Sequence, residues 1–219
     1  MTHRNEQVSL EINAYLAAHS GQPDSVLAEL ADETARRFPE HAGMQIGPEQ
    51  GTFMTLLTRL IGPRVAIEIG TFTGYSAICL ARGLGPGGRL VCCDVSEEWT
   101  SVAKRYWPKA GVDDRVELRL GPALDTLRGL PEDVILDLVF IDADKTGYIG
   151  YWEQIMPHVR AGGAILVDNT LSHGRVIDDS NQDANVVAIR EFNDHAVADD
   201  RVDLVLLPIG DGLTLARRK

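Results

Sequence analysis

From residue 65 onward the chain alternates short apolar runs with longer stretches of helical character, and this alternation constrains the fold more than any other feature. The runs are VAIEIG (65–70), RLVCCD (89–94), RVELRL (115–120), LDLVFID (136–142), GAILVD (163–168), VDLVLLP (202–208) and GLTLARR (212–218). Between them, residues 75–82, 97–110 and 147–159 have helical length and composition. Strands that alternate with helices pair in parallel, and the helices cover both faces of the sheet. The last two runs break the rule. Only IGDG, residues 209–212, separates them, too little chain for a crossover, so they predict an antiparallel hairpin. The expectation is an α/β fold with a seven-stranded, mainly parallel sheet that ends in a C-terminal antiparallel hairpin.

Residues 1–62 carry helical periodicity and no strand pattern. Leu10, Ile12, Tyr15 and Leu16 suit one helix, Val26, Leu27, Leu30 and Ala31 a second, and Phe53, Met54, Leu56, Leu57 and Leu60 a third. Pro23-Asp24-Ser25 marks a helix start and Phe38-Pro39 a helix end. A chain of 219 residues with 44% hydrophobic composition suits one domain, with 1–62 as a helical preface to a core at 63–219. The polar opening MTHRNEQVSL lacks the apolar segment of a signal peptide, which predicts a cytoplasmic protein with no membrane association. Cys79, Cys92 and Cys93 lie in apolar segments without CxxC spacing and read as buried free thiols.

The 32 acidic residues outnumber the 21 basic ones, for a formal net charge of −11. Nucleic-acid binding needs a basic stripe, so the charge favours a small-molecule partner. In parallel sheets of this kind ligands sit beyond the carboxyl ends of the strands, where the strand order reverses. The residues at those ends are Glu68 and Gly70, Asp94, Asp142, and Asp168 with Asn169. In EIGTFTGYS (68–76), Gly70 and Gly74 allow close backbone approach and Ser76 stands near a helix N-terminus. The spacing is GxxxG without a middle glycine, which serves a dinucleotide pyrophosphate poorly and disfavours a nicotinamide oxidoreductase. Glu68 would repel a diphosphate and attract an ammonium, as in the methionine end of S-adenosylmethionine. Asp94 follows the glycine turn by about 20 residues, where an acid accepts from ribose hydroxyls; the alternative is a helix cap for the segment after Ser96. In GPALDTL (121–127), small residues including Ala123 leave room for an adenine ring against the backbone.

VFIDADKTGY (139–148) crowds Asp142, Asp144 and Lys145 at the end of a buried run. Asp142, Asp168 and Asn169 end neighbouring strands and offer two carboxylates and an amide oxygen. Hard oxygen donors of this kind suit Mg²⁺, or Mn²⁺ or Ca²⁺, rather than zinc. The plainer alternative is that the acids cap helices or pair with Arg175 and Lys145. Asp144 reads as a cap for the helix that follows. Lys145 stands out in a chain with 17 arginines and only 4 lysines.

Taken together, EIGTFTGYS (68–76), DADK (142–145), DNTL (168–171), HGRV (173–176) and IREFN (189–193) resemble the cation-dependent class I O-methyltransferases of the caffeoyl-CoA and catechol type. Within that family the chain is similar to the short bacterial branch, which includes tailoring enzymes of antibiotic biosynthesis. The likeness runs in order over about residues 44–218. It implies a Rossmann-like methyltransferase fold and methyl transfer from S-adenosylmethionine to a hydroxyl of a small molecule, catechol-like or a natural product, free or carrier-bound. It further implies that Met44, Glu68, Gly70, Ser76, Asp94 and Ala123 line the cofactor pocket, with Asp142 bordering it. Asp142, Asp168 and Asn169 would ligate the metal, Lys145 would act as general base, and the chain would form a homodimer. Cys92-Cys93 and Ser172 depart from the family pattern and bear on substrate shape. A methyltransferase of the same fold that uses no metal is the alternative.

Overall fold

The computed structural model describes residues 10–219. Among the described residues, seven strands form one sheet: β1 (Val65–Ile69), β2 (Arg89–Asp94), β3 (Val116–Leu120), β4 (Leu136–Ile141), β5 (Val159–Val167), β6 (Val202–Leu207) and β7 (Leu213–Arg218). Their order across the sheet is β3-β2-β1-β4-β5-β7-β6. β1 through β5 pair in parallel, while β7 runs antiparallel to both β5 and β6. The direction of build reverses between β1 and β4, and the site lies beyond the ends of those strands.

Side chains on a strand alternate between faces, and the core divides accordingly. Ala66, Leu138, Phe140, Ala164 and Leu166 point to one face, where they pack with Leu30 of α2 (Ser25–Arg37), Met54 of α3 (Pro48–Ile61), Ile78 and Leu80 of α4 (Tyr75–Gly83), and Tyr106 of α5 (Glu97–Lys109). Ile67, Ile69, Val139, Ile141, Ile165 and Val167 point to the other. They meet Leu127 of α6 (Ala123–Arg128), Trp152 of α7 (Tyr148–Ile155) and Phe192 of α8 (Ala184–Val197). The same alternation sends Cys92 to the first face and Cys93 to the second. All three cysteines are free and buried, and burial holds the Cys79 and Cys93 thiols up at about 12.

The helical preface follows the sequence pattern in placement but not throughout in packing. Asp24 caps α2 by accepting from the Leu27 N–H at 3.0 Å. Glu33 of that helix pairs with Arg105 and accepts from the Tyr106 hydroxyl at 2.8 Å, and Thr34 bonds Thr73 at 2.9 Å inside the protein. These contacts seat α2 over the glycine turn that follows β1. On the first helix, α1 (Leu10–Ala18), Ile12 is 53%, Tyr15 63% and Leu16 50% exposed, so these three residues do not enter the core.

Two further differences lie around β5. The helix expected over 147–159 is a 3₁₀ turn at Lys145–Gly147 followed by the shorter α7. β5 starts at Val159 rather than at 163, and its pairing with β4 shifts between Leu136↔Val159 and Leu138↔Ala164. Arg160 interrupts the apolar pattern there because it turns outward to pair with Asp137. Among the described residues no helix is long and apolar enough to cross a membrane.

Candidate active site

The carboxyl ends of β1, β2, β4 and β5 open into a cavity of about 500 Å³. Its wall includes Met44, Gly70, Ser76, Asp94, Ala123, Asp142, Lys145 and Asn169, eight of the ten residues singled out from the sequence. The other two, Glu68 and Asp168, are buried at 0% and 3% exposure and lie off the open wall. Glu68 sits on β1 two residues before Gly70. Neither carboxyl oxygen of Glu68 has a hydrogen-bond partner, although Ser76, Cys92 and Thr71 surround it. Burial pushes its carboxyl up to about 8. A fully buried carboxyl with two unsatisfied oxygens fits a cationic ligand group arriving beside it.

The glycine turn owes its shape to the protein more than to a ligand. Gly70 has φ 92°, and a Cβ there would stand 1.9 Å from the backbone oxygen of Asp142. At Gly74, φ is 89° and a Cβ would meet that of Ala103 on α5 at 2.7 Å. Asp94 closes the turn from β2. Its Oδ2 accepts from the N–H groups of Thr71 at 3.0 Å and Phe72 at 2.7 Å, and its Oδ1 from the Ser96 N–H at 2.8 Å. These bonds hold Phe72 at φ 51°, a conformation that costs a non-glycine residue about 1 kcal/mol or more. The cap of α5 is Ser96, whose Oγ accepts from the Trp99 N–H. Asp94 is therefore not that cap, and it stays on the cavity wall with its carboxylate fixed by three backbone donors.

At the β4 end, Lys145 extends from the 3₁₀ turn into a polar nest. Its Nζ donates to Asp142 Oδ1 at 3.0 Å, Asn169 Oδ1 at 2.6 Å and the Tyr148 hydroxyl at 2.7 Å. The Tyr148 hydroxyl in turn donates to the Asp168 carbonyl at 3.2 Å. Burial and the neighbouring Asp142 charge push the Asp168 carboxyl up to about 7, against the opposing pull of Lys145. The plainer reading of these acids is right in one part, since Lys145 pairs with Asp142. It fails for Arg175, which donates to the backbone oxygen and hydroxyl of Ser172 instead. Asp144 does not cap the next helix with its side chain; it accepts from the Tyr151 hydroxyl and faces the cavity.

Among the described residues no three His, Cys, Asp or Glu side chains gather closely enough to hold a metal. A cation here would depend on the Asn169 amide as a third protein ligand. The donor set fits one: Asp142 Oδ1 and Asn169 Oδ1 already converge on a single positive charge, the Lys145 ammonium, and the Asp168 carboxyl lies buried beside Asn169.

The wall also holds Phe72, Trp99, Tyr151, His173 and Asp211, which the sequence reading did not single out. Trp99 packs edge-on against Phe72, with centroids 5.2 Å apart. Its place in the first turn after Asp94 was the available signal, since the end of β2 was already marked.

The model of the O-methyltransferase family matches residues 17–219. The chain belongs to the O-methyltransferase family. It is 44% identical to a probable caffeoyl-CoA O-methyltransferase 2 of Dictyostelium discoideum, over 95% of this chain and 92% of that one. Among solved structures it is similar to an O-methyltransferase of Bacillus cereus in complex with SAH, at TM-score 0.87 and 35% identity, covering 99% of this chain and 100% of that one. It is also similar to TomG of Streptomyces achromogenes, involved in tomaymycin synthesis and solved with SAM, at TM-score 0.86 and 32% identity, covering 95% and 96% of the two chains. The protein is an S-adenosylmethionine-dependent O-methyltransferase with a Rossmann-like sheet. A nicotinamide chemistry is set aside.

Two predictions follow from the glycine turn and Glu68. Gly70→Ala forces a Cβ onto the Asp142 carbonyl and lowers stability by about 2–4 kcal/mol, measured by urea unfolding; an unchanged midpoint would show that the two strand ends can part. Glu68 titrates near 4.5 when unfolded and about 8 when folded, so the folded chain holds a proton that the unfolded chain releases between those values. Its contribution to stability is full below pH 4.5 and is lost as pH rises toward 8. Cofactor binding that needs the ionised carboxyl should strengthen over pH 6 to 8 and release a proton. Calorimetry in buffers of different ionisation enthalpy reads this, and Glu68→Gln should abolish the pH dependence.

Proposed function

We propose that the enzyme is cation-dependent and methylates a small-molecule acceptor with adjacent hydroxyls, with Asp142, Asp168 and Asn169 as ligands for Mg²⁺ or a similar divalent ion and Lys145 as general base. The observation that carries this reading is the convergence of Asp142 and Asn169 oxygens on one point at the cavity wall, beside the buried Asp168 carboxyl, with one lysine to offset two acids. S-adenosylmethionine supplies the methyl group, and Glu68, Ser76 and Asp94 are proposed to hold its amino-acid and ribose parts while Met44 and Ala123 enclose it. A phenol of pKa about 10 is only about a thousandth ionised at neutral pH. A hard divalent cation held by Asp142, Asp168 and Asn169 would favour the ionised acceptor. Lys145, whose Nζ is held beside Asp142 and Asn169 by three hydrogen bonds, is proposed to take the hydroxyl proton in its neutral form. Tyr148 orients its Nζ from the side away from the cavity, and Phe72 and Trp99 flank the Asp94 end of the pocket.

The relatives named for caffeoyl-CoA and for tomaymycin synthesis support a phenolic or natural-product acceptor, and antibiotic biosynthesis is a fitting context. The separate losses expected of two variants test the assignment. Asp142→Ala removes a hard ligand, so activity drops sharply and excess Mg²⁺ restores part of it. Lys145→Met leaves the cation ligands in place and lowers turnover by about 10² to 10⁴, with partial recovery in alkaline buffer. Near-normal turnover of Lys145→Met at neutral pH would remove the general base, and full activity after exhaustive chelation would leave methyl transfer without a cation.

We also propose a homodimer. Leu56 and Leu60 of α3 are 53% and 85% exposed, as are the apolar residues of α1 noted above, and a second copy would cover them. Sedimentation at micromolar concentration should give twice the 23.9 kDa chain mass; a single-chain mass would refute the assembly.

A further inference from the structure

We infer that Asp211, in the turn of the C-terminal hairpin, is a positioning residue that sets which end of the Asn169 amide faces the cation site. The inference rests on the reading of Asn169 as a cation ligand. An asparagine side chain offers an oxygen at one end and an NH₂ group at the other, and only the oxygen can ligate a cation. Nothing in the amide's own shape selects between the two orientations. Its neighbours must do so.

The topology brings the selecting residue to the site. β7 runs antiparallel to β5, with Val167 opposite Thr214, so the turn that precedes β7 emerges at the carboxyl end of β5, where Asp168 and Asn169 stand. The turn is bonded to the backbone there: the Thr170 N–H donates to the Gly212 carbonyl and the Leu171 N–H to the Asp211 carbonyl, both at 3.0 Å. Its glycines permit that seating. At Gly212 (φ 86°) a Cβ would stand 2.7 Å from the Leu171 nitrogen, and at Gly210 (φ 57°) one would stand 2.2 Å from Gln50 Oε1.

Asp211 thus enters the site from the side opposite Lys145, with only 9% of its surface exposed. One carboxylate oxygen accepts from the His173 N–H, in a turn where Ser172 and His173 have positive φ. The other faces Asn169 Nδ2 at 3.5 Å. At the far end of the same amide, Lys145 Nζ lies 2.6 Å from Oδ1. A carboxylate accepts only and an ammonium donates only, so both neighbours select the same orientation, with Oδ1 toward Asp142 and Nδ2 toward the hairpin. When a cation is bound near Oδ1, Asp211 continues to fix the NH₂ end. Partners that orient a ligand in this way commonly account for 10- to 100-fold in metal affinity.

Asp211→Asn separates this role from support of the turn. The replacement keeps an oxygen to accept from the His173 N–H but points an NH₂ group at the NH₂ group of Asn169. Mn²⁺ affinity, titrated by calorimetry on the full chain with S-adenosylhomocysteine bound, should fall at least tenfold, while S-adenosylhomocysteine affinity and the melting transition are retained. In an Asn169→Asp background the ligand has two equivalent oxygens and no orientation to set, so adding Asp211→Asn should leave Mn²⁺ affinity unchanged or raise it. Should Asp211→Asn not fold, Asp211→Ala is compared in the same two backgrounds with the same expectation. Equal losses in both backgrounds, or no loss in the native one, would overturn the inference while the cation reading stands. Failure of the unaltered chain to bind Mn²⁺ would overturn the cation reading and this inference with it.

Discussion

The site depends on how closely the ends of β1 and β4 approach one another. The Asp142 N–H donates to the Ile69 carbonyl at 2.8 Å, the Gly70 N–H to the Cys93 carbonyl at 2.9 Å, and the Asp168 N–H to the Ile141 carbonyl at 3.0 Å. The parallel ladder thus continues one residue past each strand before the chain turns away. That extra rung fixes the Cα positions of Asp142 and Asp168, and only a residue without a Cβ fits at position 70. The acids are held by backbone geometry, so their side chains are placed before any ligand binds. Such preorganisation means that little reordering of the protein opposes binding.

Two groups of polar contacts then divide the cavity. On the β2 side, three backbone donors fix Asp94, and α2 braces the glycine turn through the buried Thr34–Thr73 bond. On the β4 and β5 side, Lys145, Tyr148 and Asp211 orient Asp142 and Asn169. The first group suits a nucleoside and the second a cation with an oxygen acceptor. Both lie in one cavity, and under the proposed function a methyl donor held by the first would stand next to an acceptor held by the second.

Much of this was legible in the sequence because it follows from simple periodicities. Seven apolar runs became seven strands, and the short IGDG link became a hairpin as its length required. The rule that ligands gather at strand ends located Gly70, Asp94, Asp142 and Asn169 on the wall, while Met44 came from the family resemblance. What it missed depends on distance in sequence. Asp211 reaches Asn169 across 42 residues, and only the antiparallel seating of β7 joins them. Glycine at 70 and 74 signalled crowding correctly, and atoms of Asp142 and Ala103 supply it. The periodic apolar residues of α1 could not announce that their helix would lie outside the core, since amphipathicity says which face is apolar and not what will cover it. Asp144 fitted a capping pattern by position, but a tyrosine from the next helix competes for its carboxylate.

The placement of Cys93 bears on chemical durability. It borders the cavity wall while none of its surface is exposed. Nucleophilic attack by cysteine requires the thiolate. With the thiol held at about 12 by burial, that form is scarce at neutral pH, and Cys92 faces the other side of the sheet. The wall can therefore carry sulfur without offering a point of alkylation.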